Sequence, residues 1–406
     1  MNEFKRIINH FTDNDLYTFT VMYYAMLCYP NAEVRYEFND RNKTVYPKGF
    51  DKLLMQQVEC MASIRITTKE VSFMRRECPY FPEWFFTYLY GYVFNPKEVS
   101  ISQDEEGHLS ITIQGPWQSA IMWEVPLLAT ISEFLHDVNG DIGNADLEFT
   151  YKHQSKRIEN AFKSPIRLSE MGTRRRFSFE AQERVIQALI EKNENGNLLG
   201  TSNVYFAMKY GLKPIGTMSH QVYSFEECAS DVEHCNPNVL TKWKRVYGNN
   251  LRVALPDTFG TDVFLKTVPP ELLAEYGVRI DSGVEDDEIK KFDEAYLAID
   301  ILPSDRLKIL SNALTLETAA DFSARYDGKS LISAGIGTDL TATVFSVGTH
   351  EKFRHSNIVI KLTGMRLSQQ DEWKNGIKLS CDTGKAIGDP VRVEEVKRKI
   401  AELLGR

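Results

Sequence analysis

Gly200-Thr-Ser-Asn203 and Lys213-Pro-Ile-Gly-Thr-Met-Ser-His220 are two pieces of one stretch on which the prediction of the fold depends. In each piece a short apolar run ends in Gly-Thr, followed by small or polar residues. This pattern is typical of a buried parallel strand whose last residues turn into a site. His220 stands at such a strand end, although a lone histidine is more often a core or surface residue than a reacting group. Whether His220 is a reacting group or a core or surface residue has to be judged from the surrounding sequence.

Around this stretch, short apolar segments alternate with helical patterns. Strands are predicted over residues 166–171, 197–200, 213–215, 251–255, 278–281, 308–311 and 331–334. So many strand–helix units in a short span favour a parallel α/β barrel over an open sheet. In such a barrel the active site lies at the C-terminal ends of the strands. Residues suited to a site follow the predicted strands at Gly172-Thr-Arg174, Pro256-Asp257, Asp281-Ser-Gly283 and Gly335-Ile-Gly337-Thr338.

The two ends of the chain have a different pattern. Residues 49–64 and 125–138 have helical periodicity, and alternation over 99–101 and 109–113 predicts a β-hairpin. From about residue 345 the sequence again favours strands, and this tail can pack back on the first third. The predicted domains are an N-terminal α+β domain over 1–145, completed by 346–406, and a barrel domain over 146–345.

Composition excludes several classes of protein. The chain has 406 residues, 43% of them apolar and 26% charged, as in an ordinary globular protein. Its net charge of -8 argues against a general affinity for nucleic acid or for anionic membranes. The six cysteines are scattered without zinc-ligand spacing, and neither a signal peptide nor a membrane span is apparent. We therefore expect a cytoplasmic protein without a disulfide framework.

Several groups at the predicted strand ends suit a phosphorylated ligand. Arg174-Arg175-Arg176 is the densest positive cluster, and because cations oppose the dipole at a helix start, an anion-binding role is favoured over a surface helix. The Gly335–Thr338 turn can offer backbone N–H groups to a phosphate, with Lys361 and Lys378 adding charge.

Asp281 suits ribose hydroxyls or a magnesium-bound phosphate, and helix capping explains it equally well on spacing alone. Tyr17 could stack on a flat ring, although most tyrosines only pack. No Walker loop, dinucleotide fingerprint or nucleophile elbow is present. Together the groups indicate a site for a phosphorylated ribose and a planar partner.

These motifs resemble the signatures of the nicotinate phosphoribosyltransferase family, in the family's order and through nearly the whole chain. The matching segments are Asp15-Leu-Tyr17, Glu170-Met-Gly-Thr-Arg-Arg-Arg-Phe-Ser178, Gly200-Thr-Ser-Asn203, Gly216-Thr-Met-Ser-His220, Arg279-Ile-Asp-Ser-Gly283, Gly335-Ile-Gly-Thr338, Ile358-Val-Ile-Lys-Leu362 and Lys378-Leu-Ser380. Each segment alone is modest support, but eight in order are highly specific.

The resemblance implies an irregular parallel α/β barrel joined to an α+β domain built from the N-terminal and C-terminal segments. It also implies a homodimer with active sites at the interface, where Tyr17 serves the neighbouring subunit's pocket. The implied reaction joins nicotinate to phosphoribosyl pyrophosphate with coupled ATP hydrolysis, giving nicotinate mononucleotide and pyrophosphate in NAD biosynthesis. Mg²⁺ is the implied cofactor, and its ligands are left open.

The resemblance also implies roles for particular residues. His220 is expected to be phosphorylated by ATP, and Arg174 and Asp281 are the other expected catalytic residues. The expected substrate-binding residues are Tyr17, Arg175, Thr201, Ser202, Thr217, Arg279, Gly335, Gly337, Thr338, Lys361, Lys378 and Ser380.

Ser202 indicates which pyridine is used, because related nicotinamide enzymes have an aspartate there that would repel a carboxylate. Nicotinate is therefore the preferred substrate. Three departures from the family pattern stand out: Met171 in place of a common Phe, Gln221 in place of a common Glu, and Val284-Glu285 in place of Asp-Pro. The alternatives are a phosphoribosyltransferase for nicotinamide or another pyridine, a non-catalytic ligand-binding relative, and an unrelated phosphosugar barrel enzyme.

Overall fold

Two β-sheets organise the protein, one parallel and one antiparallel. The computed structural model describes residues 5–379, 386 and 388–406. The strands are β1 (Glu33–Asp40), β2 (Val99–Gln103), β3 (Leu109–Pro116), β4 (Leu168–Glu170), β5 (Leu198–Thr201), β6 (Val253–Ala254), β7 (Gly277–Ile280), β8 (Lys308–Leu310), β9 (Ile332–Ile336), β10 (Ile358–Arg366) and β11 (Lys374–Asn375).

Helices cover both sheets. They are α1 (Leu16–Cys28), α2 (Phe50–Met61), α3 (Thr68–Glu77), α4 (Glu83–Gly91), α5 (Trp117–Ala120), α6 (Glu124–Val138), α7 (Leu147–Ala161), α8 (Phe179–Glu191), α9 (Val204–Tyr210), α10 (His220–Ala229), α11 (Val232–Tyr247), α12 (Thr261–Thr267), α13 (Pro270–Leu273), α14 (Glu285–Leu297), α15 (Leu316–Tyr326), α16 (Thr338–Thr341) and α17 (Pro390–Leu404). Within the described ranges, no helix has the length and apolar character needed to cross a bilayer.

The parallel sheet has the strand order β5-β4-β9-β8-β7-β6. Along the chain β4 is the first of these strands and β9 the last, and the two pair with Leu168 opposite Ala334, as expected of a barrel. Six of the seven predicted segments contain a strand. The seventh, over 213–215, forms only a parallel bridge from Pro214 to Thr201, and proline has no N–H with which to extend the pairing. Beyond it, the Thr217 hydroxyl lies 3.4 Å from the Val253 carbonyl oxygen.

The antiparallel sheet has the order β11-β10-β1-β3-β2. The predicted hairpin is present, because β2 pairs with β3. Strand β1 lies between β3 and β10, so the early and late parts of the chain share one sheet. The predicted fold class, an irregular parallel α/β barrel with a second α+β domain formed by the N-terminal and C-terminal segments, is confirmed by the parallel sheet and the separate antiparallel sheet. The domain boundaries at 145 and 346 stay predictions.

A buried ion pair fixes the first loop of the chain against the barrel. The Arg176 guanidinium, which is fully buried, donates to both carboxylate oxygens of Asp13 at 2.8 and 2.9 Å. Its Nε lies 3.5 Å from a Glu133 carboxylate oxygen. Such a bidentate pair is strong and directional. Arg176 is therefore occupied within the protein, and the interpretation of the three arginines as one anion-binding cluster is wrong for this residue.

Candidate active site

The loops that follow the parallel strands meet at one end of the barrel. Gly200 at the end of β5 has a positive φ, and a Cβ there would lie 2.1 Å from the Lys213 carbonyl oxygen. Only glycine therefore permits this approach of the two segments. The approach brings the chain to Ser219 and then to His220, the first residue of α10.

His220 is buried and both of its ring nitrogens have partners. Nδ1 lies 2.9 Å from the Thr258 hydroxyl, and Nε2 lies 3.1 Å from Asp281 Oδ2 and 3.7 Å from Asp257 Oδ1. An ionised carboxylate can only accept, so Nε2 carries the proton and Nδ1 accepts from Thr258. Burial lowers the pKa of His220 to about 4, against the opposing effect of Asp257. The imidazole is thus neutral and held in one tautomer.

Two carboxylates next to His220 could hold a divalent cation. Ligand atoms of His220, Asp257 and Asp281 lie within 4.8 Å of one another. Asp257 Oδ1 is buried and accepts no hydrogen bond from any described residue, whereas Oδ2 accepts from Ser282 at 2.8 Å. Carboxylate oxygens are the ligands that Mg²⁺ prefers, so Asp257 and Asp281 fit this ion.

Asp281 is ionised and connects several predicted site residues. It accepts from the Ser311 hydroxyl at 2.8 Å, and Arg279 Nη2 lies 3.6 Å from its Oδ2. Burial alone would raise its pKa, but Arg279, His220 and Lys378 outweigh burial and hold the pKa well below its ordinary value. Lys378 Nζ also lies 3.8 Å from Asp257 Oδ2. His220, Asp281, Arg279 and Lys378 are therefore brought together.

Arg174 and Lys361 are basic side chains without a direct ion-pair partner among the described residues. Neither forms an ion pair or hydrogen bond with another residue in the part of the chain that the structure describes. Burial, and next the charge of Lys378, lower the pKa of Lys361 to about 7. The pKa of Arg174 lies above its ordinary value, because Tyr17, Glu124 and Asp15 outweigh its burial. Two such cations suit an anionic ligand.

Arg175 is partly occupied by the backbone. Its Nε donates to the Ile358 carbonyl oxygen at 2.9 Å. Burial lowers its pKa to about 10, helped by the charges of Arg174 and Arg41. Arg175 therefore adds positive charge beside Arg174, with part of its guanidinium already bonded.

The hydroxyls of the Gly200–Asn203 segment bond within the protein. Ser202 Oγ donates to Asp15 Oδ1 at 2.7 Å, and burial raises the pKa of Asp15. Thr201 is fully buried and donates to Glu170. Tyr17 lies close enough to Glu124 and Arg174 of its own chain to interact electrostatically, and its buried hydroxyl approaches Glu124 without reaching good hydrogen-bond geometry with any described residue. Its contribution to a neighbouring subunit stays a prediction.

The Gly335–Thr338 turn packs against the loop that carries Arg174. A Cβ at Gly335 would lie 2.6 Å from Met171 Sδ, and one at Gly337 would lie 2.7 Å from the Met171 carbonyl oxygen. Thr338 begins α16, whose Thr341 hydroxyl donates to the Gly172 carbonyl at 2.9 Å. Met171 thus fills the space that the glycines leave. Of the predicted site residues, Ser380 lies outside the described residues.

Sequence reasoning assigned no role to several groups that line this site, namely Asp15, Glu124, Glu170, Asp257 and Thr258. Asp257 and Asp15 lie in segments that had already been singled out, so their carboxylates were available as signals. Glu124 interrupts the apolar run Ile121-Met-Trp-Glu-Val-Pro-Leu-Leu128, which is an unusual place for a charge.

Glu170 gives a prediction about pH. Burial raises its pKa to about 7 from 4.5, even though Thr201, Gly172 and Gln182 donate to it. Between these pH values the unfolded chain loses its proton and the folded protein keeps it, so stability falls as pH rises through this window, by roughly 3 kcal/mol in all. We expect Glu170→Gln to remove this dependence, because an amide can donate to Thr201 and accept from the others.

Urea unfolding of the unmodified protein and of Glu170→Gln, at pH 5 and at pH 8, measures this pH dependence of the free energy of unfolding. The variant should lose less stability than the unmodified protein between the two pH values. An equal loss in both would show that Glu170 does not titrate in this range.

Comparisons with known proteins match nearly the whole chain. The model of the "Nicotinate phosphoribosyltransferase (NAPRTase) family" matches residues 166–399, and that of the family's N-terminal domain matches residues 12–132. The chain is 34% identical to the nicotinate phosphoribosyltransferase of Desulforapulum autotrophicum over 94% of this chain and 96% of that protein. It is also 34% identical to that of Saccharomyces cerevisiae over 97% and 95%.

Solved structures give the same result. The crystal structure of nicotinate phosphoribosyltransferase from Porphyromonas gingivalis superposes with a TM-score of 0.92 at 32% identity, covering 98% of this chain and 100% of that one. The structure from Vibrio cholerae gives 0.87 at 28% identity, covering 97% and 94%. The sequence match and the superposition both extend over nearly the whole chain, and on these grounds the chain belongs to the nicotinate phosphoribosyltransferase family.

Proposed function

We propose that this protein joins nicotinate to phosphoribosyl pyrophosphate, giving nicotinate mononucleotide and pyrophosphate, with ATP hydrolysis coupled through His220 in NAD biosynthesis. Family membership supports the reaction class. The observation that carries the proposal is the pair of basic side chains, Arg174 and Lys361, which form no ion pair or hydrogen bond with any described residue and which interact electrostatically with Asp281, the partner of His220.

In the proposed reaction the pyridine nitrogen of nicotinate attacks C1 of the ribose. Its lone pair forms the new C–N bond while the C1–O bond to pyrophosphate breaks, and that electron pair leaves with pyrophosphate. No base is needed, because the nitrogen carries no proton. Arg174, Lys361 and Arg175 stabilise the charge that develops on the leaving group. Asp281 orients the ribose hydroxyls, and the Gly337–Thr338 turn holds the 5-phosphate.

Mg²⁺ held by Asp257 and Asp281 would add positive charge against the leaving pyrophosphate. Ser282 donates a hydrogen bond to Asp257 and Ser311 donates one to Asp281, and these bonds hold the two carboxylates in place.

The coupling to ATP is proposed to pass through His220. Nδ1, the ring nitrogen that carries no proton, attacks the γ-phosphorus once the Thr258 hydroxyl turns away; an N–P bond forms, the P–O bond to ADP breaks with its electron pair leaving on ADP, and the Nε2 proton passes to Asp281. Water later hydrolyses the phosphohistidine to phosphate. Hydrogen bonds on both ring nitrogens support this role because they hold the imidazole in place. A phosphoryl group there would add acceptors and charge to the pocket, which can tighten substrate and metal binding before the sugar reacts.

Nicotinate is the proposed pyridine because Arg279 can bind its carboxylate. Arg279 Nε is buried and has no partner among the described residues, and Nη2 only approaches Asp281 at 3.6 Å. Tyr17, Thr217 and Ser202 complete the proposed ring pocket. One observation favours the amide instead: Ser202 donates to the Asp15 carboxylate, and that carboxylate could accept an amide N–H. Nicotinamide is therefore the second candidate.

A product assay with both pyridines, each with and without ATP, tests the proposal. Mononucleotide and pyrophosphate should form fastest from nicotinate in the presence of ATP and Mg²⁺. Faster turnover of nicotinamide would select the second candidate. No product from either pyridine would contradict the function.

We further propose that the protein works as a homodimer in the cytoplasm. The support is the family resemblance alone, and light scattering of the purified protein would measure its mass in solution.

A further inference from the structure

Three consecutive backbone N–H groups at the end of the Gly335–Thr338 turn have no acceptor in the part of the chain that the structure describes. They belong to Gly337, Thr338 and Asp339. The next N–H, that of Leu340, donates to the Gly337 carbonyl oxygen at 3.0 Å. Successive backbone donors of this kind can hold an anionic oxygen. How well they do so depends on how firmly the surrounding backbone is held.

Helix α7 holds the backbone that follows these three donors. Gln154 of this helix is fully buried, and its Nε2 donates to the Leu340 carbonyl oxygen at 2.8 Å and to the Asp339 carbonyl oxygen at 3.2 Å. Its Oε1 accepts from Arg157 Nη1 at 2.9 Å. Because a guanidinium can only donate, this contact determines which way the amide points. Gln154 and Arg157 therefore act on the turn together, from one face of α7.

The side chain of Asp339 is held as well as its backbone. Its Oδ2 accepts from Arg157 Nη2 at 2.8 Å and from the Leu316 N–H, at the start of α15, at 3.1 Å. Arg157 also donates to both carboxylate oxygens of Glu317, at 2.8 and 2.7 Å. The Arg157 and Asp339 side chains are only 16% and 14% exposed, so water and salt weaken their attraction less than at an open surface.

We propose that Arg157, together with Gln154, is a positioning residue for the 5-phosphate of the sugar substrate. It touches no substrate atom in this scheme, and it holds Asp339 so that the N–H groups of Gly337, Thr338 and Asp339 keep one arrangement. A turn that is already in place binds a phosphate without the cost of ordering its backbone. This inference rests on the proposed function, because it concerns the 5-phosphate subsite of the same pocket.

Arg157 also offsets the negative charge beside the turn. Without it, the Asp339 carboxylate would keep only the Leu316 N–H as a donor, and its charge would repel a phosphate bound at the adjacent backbone. The geometric effect and the electrostatic effect therefore act in the same direction. Both weaken binding of the 5-phosphate when Arg157 is removed.

The groups assigned to pyrophosphate are separate from this contact. Within the described ranges, Arg174, Arg175 and Lys361 form no hydrogen bond or ion pair with Arg157 or Asp339. The loss of Arg157 should therefore affect one end of the sugar substrate and spare the other. A general loosening of the fold would weaken binding at both ends.

The test compares the binding of ribose 5-phosphate and of inorganic pyrophosphate to the unmodified protein and to Arg157→Met, by calorimetry. We expect the substitution to weaken ribose 5-phosphate binding on the order of tenfold, the effect of losing one charge-assisted contact that supports a site. Pyrophosphate binding should stay unchanged. Arg157→Lys keeps the charge without the planar guanidinium, so it should recover part of the lost affinity for ribose 5-phosphate.

A matched control is Arg325→Met. Arg325 also pairs with two carboxylates, those of Asp286 at 2.8 Å and Asp321 at 2.9 Å, but these side chains are exposed. The control variant should bind both anions as the unmodified protein does. If Arg157→Met does not fold, Arg157→Lys answers the same question, with a smaller loss that is again confined to ribose 5-phosphate.

Unchanged ribose 5-phosphate binding by folded Arg157→Met, or an equal loss of affinity for both anions, would overturn this inference. Absence of ribose 5-phosphate binding to the unmodified protein would also overturn it, since the turn would then hold no phosphate. The proposed function is decided separately, because it stands if the unmodified protein makes mononucleotide and fails if it does not.

Discussion

His220→Ala is expected to abolish the stimulation of product formation by ATP while leaving a slow, ATP-independent reaction. The imidazole is the proposed phosphoryl acceptor, so without it ATP has no covalent route into the cycle. The sugar transfer itself uses Arg174 and Asp281, which the substitution leaves in place. Nicotinate mononucleotide formation and ADP release, measured together with and without ATP, would show the two activities separate.

His234→Ala is a suitable control because His234 also pairs with an aspartate, Asp231, at 2.8 Å, but on the exposed surface. That variant should keep both activities. Unchanged ATP coupling in His220→Ala would remove His220 from the proposed cycle. Loss of all product formation, in a variant that melts normally, would instead give His220 a role in the sugar transfer.

The sequence predicts the parts of this structure that depend on local pattern. The hairpin of β2 and β3 follows from the alternation of apolar and polar residues, and most barrel strands follow from short apolar runs. The positions of the loops after these strands can also be read from the local sequence. Because parallel strands bring their C-terminal ends together, His220 and Asp281 could be expected near one another before any coordinates. The segment 213–215 shows where this pattern fails: the pattern predicts a strand, but the segment contains a proline and forms only a single bridge, at Pro214.

The contacts that determine charge in the pocket could not be predicted in this way. Gln221 donates to Glu124 over a separation of 97 residues, and Arg176 donates to Asp13 over 163. Nothing in either local sequence says which carboxylate a cation will meet. The family pattern marked Gln221 only as a departure, and its amide oxygen accepts from Tyr36 and Trp117, which come from the antiparallel sheet and its following helix.

The three consecutive arginines provide the sharpest contrast between a binding and a structural residue. We expect Arg174→Ala to raise KM for phosphoribosyl pyrophosphate by roughly 10- to 100-fold, the effect of losing one or two charge-assisted hydrogen bonds. Its melting temperature should hardly change, because Arg174 has no ion pair among the described residues to lose. Substrate kinetics and a thermal melt on the same preparation measure both quantities.

Arg176→Ala should have the opposite profile. It leaves the Asp13 carboxylate buried without its bidentate partner, and breaking a buried pair in this way costs about 3–5 kcal/mol. The protein should melt earlier or accumulate poorly, while any folded fraction keeps an ordinary KM for phosphoribosyl pyrophosphate. If Arg176→Ala raised KM as much as Arg174→Ala without lowering stability, the buried pair would not be structural. The positive charge at this barrel end would then act as one cluster, rather than as one guanidinium without an ion-pair partner among the described residues beside one that is paired within the fold.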